Sequence, residues 1–314
     1  MIRCLLLATL LTGLPAGAQF RRDDPYPRIH DPSTVVAEGG GVWSLCTGQG
    51  IPILKREADG RWKREAVVFS GYPEWHKREV PANRGHLWAP DIIRIKDRWL
   101  VYYSVSSFGS NESAIGLVTG KTLNPGSKDY GWKDGGMVIR SRKADRFNAI
   151  DPALVMADGR LWMSFGSFWE GIFLIELDAD TGLRKKPDEP PLKLAMHQEI
   201  EAPFIHRHGG YYYLFVNWGK CCRGVDSTYE IRVGRSKKIT GPYLDREGTD
   251  LKDGGGSLFL GTEGRFIGPG HAAIFKEKGK EMLVHHFYDN DRGGRSDLRM
   301  LPLEWKDGWP VIAK

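Results

Sequence analysis

Apolar residues in this chain come in short runs bounded by glycine, proline and polar residues, a pattern that predicts strands rather than helices. Five times a segment with a polar or Pro-bearing start passes through a few apolar residues and meets a turn eight residues after one position. These positions are Asp31 (turn at Gly39), Ala89 (Asp97), Asp151 (Gly159), Glu201 (Gly209) and His271 (Gly279). After each turn comes a second apolar run: Val42 to Leu45, Trp99 to Tyr103, Leu161 to Phe165, Tyr211 to Val216, and Met282 to Phe287. The unit is a β-hairpin, and it repeats.

A strand–turn–strand unit rich in aromatic and β-branched residues is the signature of propeller blades, so the sequence predicts an all-β, five-bladed propeller. The first strand of each blade lines the central axis, and residues in one shared register are expected to meet there. Asp31, Asp151, Glu201 and His271 would then converge, with Ala89 as the bland member of the set. Three carboxylates in one place repel one another and are rarely buried without partners, which marks the axis as the expected active site. Taken singly, Asp31 and Asp151, each before a proline, read as turn or cap residues. Asp91, two residues beyond Ala89, falls outside the register and reads as structural.

Composition agrees with this frame: 39 Gly, 11 Trp, 11 Tyr and 13 Phe in 314 residues suit a large all-β core. No Ser/Pro tract, low-complexity stretch or charge block divides residues 19–314, which are expected to form one domain and a monomer. Residues 1–18 differ in kind. Arg3 precedes an apolar run from Leu5 to Leu11, and Ala16-Gly17-Ala18 closes it, as in a secretory signal cleaved before Gln19 and too short to span a membrane. A secreted or periplasmic protein is expected. Its formal charge falls from +6 to +5 with the loss of Arg3, and the basic residues are interspersed with acids, which predicts neither a nucleic-acid nor a membrane partner. Of the cysteines left, Cys46 is expected to be a core thiol, while Cys221 and Cys222 suit either a vicinal disulfide or two reduced thiols.

Two carboxyl groups in different protonation states are what glycosidic cleavage needs, one to protonate the leaving oxygen and one to activate water or attack the sugar. A third carboxylate nearby raises the acid by like-charge repulsion. Trp88, Phe108 and the Phe168-Trp169 pair lie just beyond strands, where aromatic faces are available to sugar rings.

Several segments carry a resemblance to a known family: His30-Asp31-Pro32-Ser33, Trp88-Ala89-Pro90-Asp91, Ser106 to Ser110, Ala149 to Ala153, Ile200-Glu201-Ala202-Pro203-Phe204, Cys221 to Tyr229 and Gly268-Pro269-Gly270-His271. From about His30 onward the chain resembles glycoside hydrolase family 43, and within it the endo-1,5-α-L-arabinanases. The Asp-Pro and Glu-Ala-Pro pieces point to the family. The Cys-Cys-Arg-Gly segment, with Val233 to Ser236, and Gly-Pro-Gly-His point to arabinanases. The resemblance implies inverting hydrolysis of arabinan, with Asp31 as general base, Glu201 as general acid, and Asp151 raising and orienting Glu201. It implies that His271 helps hold a hydrated ion, usually calcium, mostly through water because calcium prefers oxygen. It also implies substrate contacts from Phe108, Gly116, Asn148, Ile150, Ser167, Phe168 and Trp169, with Cys221 near the sugar sites.

Three other readings share much of this evidence: an exo-acting α-L-arabinofuranosidase or β-xylosidase, a non-catalytic carbohydrate-binding propeller, and a retaining fructan-active propeller. Retention would bring the two working carboxyls to about 5 Å, against ~6.5–9.5 Å for inversion.

Overall fold

The computed structural model describes residues 26–313; the secretory signal read in residues 1–18 lies outside them. The chain forms the expected five-bladed propeller, with five antiparallel sheets whose four main strands follow one another along the chain. Blade one comprises Val36–Glu38, Gly41–Leu45, Pro52–Arg56 and Trp62–Val67. Blade two comprises His86–Ile95, Arg98–Val105, Ser113–Gly120 and Trp132–Ser141, and the short strand Gly48–Gln49 from blade one pairs onto it at His86 and Leu87. Blade three is Ala153–Ala157, Arg160–Phe165, Ile172–Leu177 and Leu192–Ala195; blade four is Ile200–His208, Tyr211–Trp218, Glu230–Ser236 and Ser257–Leu260. Blade five is Phe266–Glu277, Lys280–Asp289, Arg295–Lys306 and Trp309–Ile312.

The apolar runs are continuous because the inner strands are buried on both faces, each face packing against a different neighbouring blade. In Arg98–Val105, Trp99, Val101, Tyr103 and Val105 pack toward blade one, whereas Leu100 and Tyr102 pack toward blade three. In blade four, Tyr212, Leu214 and Val216 face blade three, and Tyr213 and Phe215 face blade five. The period-2 alternation of a strand thus fills two inter-blade cores at once. Cys46 is a buried free thiol in the last of these cores, as expected.

The axial ends of the first strands share one unusual feature. Asp31, Ala89, Asp151, Ala202 and His271 all have φ between 36° and 58°, the left-handed region that non-glycine residues seldom enter. At Ala89, Ala202 and His271 the strand pairing slips around this residue, as in a β-bulge. Four of these five are the residues that the turn count selects; the fifth is Ala202, not Glu201. Glu201 lies one position earlier: blades one and four both turn on a Gly-Gly pair at positive φ, Gly39–Gly40 and Gly209–Gly210, and the count runs to the first glycine from Asp31 but to the second from Ala202.

Each of these residues donates its backbone N–H to a side chain of the preceding blade. Ala89 bonds Thr47 Oγ1 (2.7 Å), Asp151 bonds Ser104 Oγ (2.9 Å), Ala202 bonds Asp151 Oδ2 (3.2 Å), His271 bonds Asn217 Oδ1 (2.8 Å) and Asp31 bonds His286 Nδ1 (3.2 Å). The five bonds close a ring around the axis. The last one joins blade five to blade one, where Leu298 N–H also donates to Pro27 O.

Asp91 is structural, as its place outside the register predicts. It is 4% exposed and accepts the N–H of Thr34 from blade one through Oδ1 (2.9 Å) and that of Leu154 from blade three through Oδ2 (2.7 Å). Asp91→Ala leaves two buried N–H groups without an acceptor and is expected to lower unfolding free energy by about 2–5 kcal/mol, while Asp91→Asn keeps one acceptor and loses less. Urea titration of the two variants measures this; a loss for Asp91→Ala under about 0.5 kcal/mol, the range of a surface substitution, would refute the clamp.

Candidate active site

The bulges decide what the axial side chains do. A left-handed residue just before or within each first strand re-aims the chain, and Asp31, Asp151, Glu201 and His271 all line one cleft of about 1790 Å³. Asp151 and Glu201 are buried, at 7% and 8% exposure. Carboxyls so placed are governed by their few neighbours rather than by bulk water.

Asp31 sits in a basic nest. Its Oδ2 is 2.8 Å from His30 Nδ1 and accepts the Thr47 hydroxyl at 2.5 Å; its Oδ1 is 3.5 Å from His271 Nδ1 and 3.6 Å from His286 Nδ1. Burial opposes charge on both members of the His30–Asp31 pair, and their mutual attraction and hydrogen bond outweigh it. The imidazole is raised to about 10 and the carboxyl is held well below the usual carboxylate range. Asp31 is therefore an anion paired with a cationic His30. His30 is steadied in turn by stacking on His286, with centroids 4.2 Å apart, and by Tyr288 Oη at 2.8 Å from Nε2.

Glu201 is in the opposite state. Burial pushes it up to about 7; the Asp31 charge pushes the same way, against the Ser167 hydroxyl that donates to Oε2 at 2.6 Å and favours the anion. Asp151 is raised well above its ordinary value by burial, then by the proximity of Glu201 and Asp31. The sequence reading has Asp151 raise Glu201. Repulsion between these two buried carboxyls acts on both of them, burial and Asp31 push Glu201 the same way, and Asp151 also holds the Ala202 N–H, one residue from the acid.

His271 is kept neutral by burial, which lowers it against the pull of Asp31, so its ring has a free lone pair. Around it stand imidazoles and one carboxylate, too few oxygens to cage calcium. This donor set fits a cation that keeps most of its water.

The cleft wall contains Trp88, Phe108, Asn148, Ile150, Ser167, Phe168, Trp169 and Cys221, all candidates from the sequence. Phe108 is 79% exposed and its ring lies 4.8 Å from that of Trp88, which makes an aromatic ledge. Gly116 is the exception: it lies in Ser113–Gly120, away from the cleft lining, and a Cβ there would meet the Tyr103 ring at 2.5 Å and Trp75 at 2.7 Å. Its lack of a side chain serves ring packing, not substrate. Cys221 and Cys222 are unbridged, with sulfurs 2.7 Å apart, and Cys222 N–H donates to Tyr288 Oη. Sequence reasoning missed His30, Thr47, His286 and Tyr288. Only His30, adjacent to Asp31 in the chain, had a local signal.

The family model "Glycosyl hydrolases family 43" matches residues 18–310. The "Extracellular exo-alpha-(1->5)-L-arabinofuranosidase ArbA" of Cellvibrio japonicus is 44% identical over 322 residues, spanning 98% of this chain and 90% of its own length. The "Extracellular endo-alpha-(1->5)-L-arabinanase 1" of Bacillus subtilis is 41% identical over 291 residues, spanning 90% and 87%. The solved Cellvibrio cellulosa α-L-arabinanase complexed with arabinohexaose superimposes with a TM-score of 0.87 at 43% identity, covering 92% of this chain and 96% of that one. With its propeller, its axial carboxyls and a match that runs nearly from end to end, the chain belongs to glycoside hydrolase family 43 and is a glycoside hydrolase.

Proposed function

We propose that this enzyme hydrolyses internal α-1,5-L-arabinofuranosidic bonds of arabinan with inversion at the anomeric carbon. The observation that carries the proposal is the opposite protonation of two carboxyls in one cleft: Asp31 held ionised by His30, Glu201 held protonated up to about 7. In the single displacement, Asp31 takes a proton from a water molecule as the water oxygen bonds the anomeric carbon. The glycosidic C–O bond breaks, and Glu201 gives its proton to the departing oxygen. Asp151 orients the strand carrying Glu201, and repulsion between the two carboxyls disfavours double ionisation. Trp88, Phe108 and Trp169 offer ring faces to the furanoses.

Arabinan as substrate is supported by the names of both relatives and by the arabinohexaose in the solved neighbour. An exo mode is the second reading, favoured by the name of the Cellvibrio relative. Both relatives are named extracellular, which together with residues 1–18 supports export of this chain. A hydrated calcium ion held by His271 would add positive charge beside Asp31 and favour its ionised form.

Asp31→Ala and Glu201→Ala are each expected to lose about 10²–10⁴-fold in turnover on linear arabinan. On an activated aryl arabinoside, which needs little protonation, Glu201→Ala should recover much of its rate and Asp31→Ala should not. Equal losses on both substrates would remove Glu201 as the acid. Proton NMR of the first product should show the anomer opposite to the substrate's. Chromatographic sizing of a timed digest should show short oligosaccharides; arabinose alone would establish the exo reading.

Turnover on arabinan should hold at mildly acidic pH and fall as pH rises through about 7, where Glu201 loses its proton. Stability carries the same signature. Below the ordinary value of 4.5 the carboxyl is protonated in folded and unfolded chains alike, and it costs nothing. As pH rises toward 7 the unfolded chain ionises first, and the folded state is destabilised by up to about 3 kcal/mol. Glu201→Gln is therefore expected to be more stable than the wild type at about pH 8 and equal to it at low pH, as read by urea unfolding. A difference independent of pH would mean that Glu201 is not held protonated.

A further inference from the structure

The hairpin ends of blades four and five, opposite to the cleft, carry a second cluster of metal-binding side chains. His206 and His208 alternate on Ile200–His208, so both rings leave the strand on the same side. Glu281, the second residue of Lys280–Asp289 in blade five, faces them. His206 Nε2 lies 3.1 Å from Glu281 Oε1, and His208 Nδ1 lies 3.6 Å from Oε2. One ligand atom from each of the three residues falls within 4.8 Å of the others. His206 is five positions along the strand from Glu201, roughly 16 Å at ~3.3 Å per residue, which separates this cluster from the axial acids.

We propose that His206, His208 and Glu281 form a transition-metal site, suited to Zn²⁺, that ties blade four to blade five. Tetrahedral zinc with bonds of about 2.0–2.1 Å spaces its ligand atoms about 3.3–3.4 Å apart; each imidazole nitrogen lies near that distance from a different Glu281 oxygen, and with one donor atom from each residue already within 4.8 Å of the others, small side-chain rotations bring the three onto one ion. Two imidazoles and a carboxylate are a zinc-type donor set, and too poor in oxygen for calcium or magnesium. The outer contacts orient the ligands. Trp305 Nε1–H donates to Glu281 Oε2 at 2.7 Å, and the His208 ring stacks on Trp305 at 3.9 Å and 8°. The side chains of His206, His208 and Glu281 are 19%, 36% and 19% exposed, so an ion has a path from solvent and room for a water ligand.

Metal-stripped full-length protein, titrated with Zn²⁺ by calorimetry, should bind one equivalent at this site, and melting should shift upward with zinc. The double variant His206→Ala/His208→Ala should lose more than about 100-fold in zinc affinity and the melting shift, while arabinan turnover without zinc stays unchanged. Trp305→Phe, which leaves a smaller ring beneath His208 and removes the hydrogen bond, should weaken zinc about 10–100-fold. His271→Ala should leave this zinc bound. The proposal is overturned if wild-type protein takes up no zinc, in which case the three residues are an ion pair only. It is equally overturned if the double variant binds zinc as tightly as wild type, which would assign the metal to the His30, Asp31 and His286 cluster.

Discussion

The ring of backbone N–H groups bonded to the preceding blade's side chains is the constraint on which the rest depends. Left-handed φ at a non-glycine residue costs of order 1–3 kcal/mol and persists only where the surroundings enforce it. Here five residues adopt it at one level of the axis, and Thr47, Ser104, Asp151, Asn217 and His286 hold each N–H in place. Two ring members have second tasks in the cleft. His286 accepts the Asp31 N–H through Nδ1, which fits the neutral ring that burial enforces, and it stacks on His30. Asp151 closes the ring beside Glu201. Closure of the propeller and placement of the acids are thus one structural event.

The electrostatics follow from that placement. Three buried carboxyls at one mouth resist ionising together, and His30 decides which one does. His30 gives Asp31 a counter-charge in contact, whereas Glu201 and Asp151 have hydroxyl or amide partners and, among the described residues, no cation at hydrogen-bond distance. Burial then works in opposite directions on chemically similar groups. One carboxyl emerges as an anion and its neighbours hold protons, which is the division of labour that single-step glycoside hydrolysis requires.

The repeat, the all-β class and the identity of the acids were legible in sequence because each is a local pattern: alternating burial, a two-residue turn, a carboxylate at a set distance from it. The one-residue error at Glu201 has a local cause too. Counting to the first glycine of Gly209–Gly210 selects Glu201, whereas the Ala202-Pro203 pair, like Asp31-Pro32, Ala89-Pro90 and Asp151-Pro152, marks the equivalent position. A register set by the proline would have found it. Gly116 misled for a different reason, since a glycine admitting a substrate and one admitting the Tyr103 ring look alike in one dimension.

By itself the sequence determined which residues reach the axis, because strand period and turn position are fixed by neighbours in the chain. It could not determine their charge states. Those depend on His286 lying beside Asp31 across 255 positions of sequence, on Ser167 meeting Glu201 across 34, and on how much water each carboxyl retains. Such contacts exist only after five blades have closed, and a pKa is set by distance and desolvation in space rather than by order along the chain.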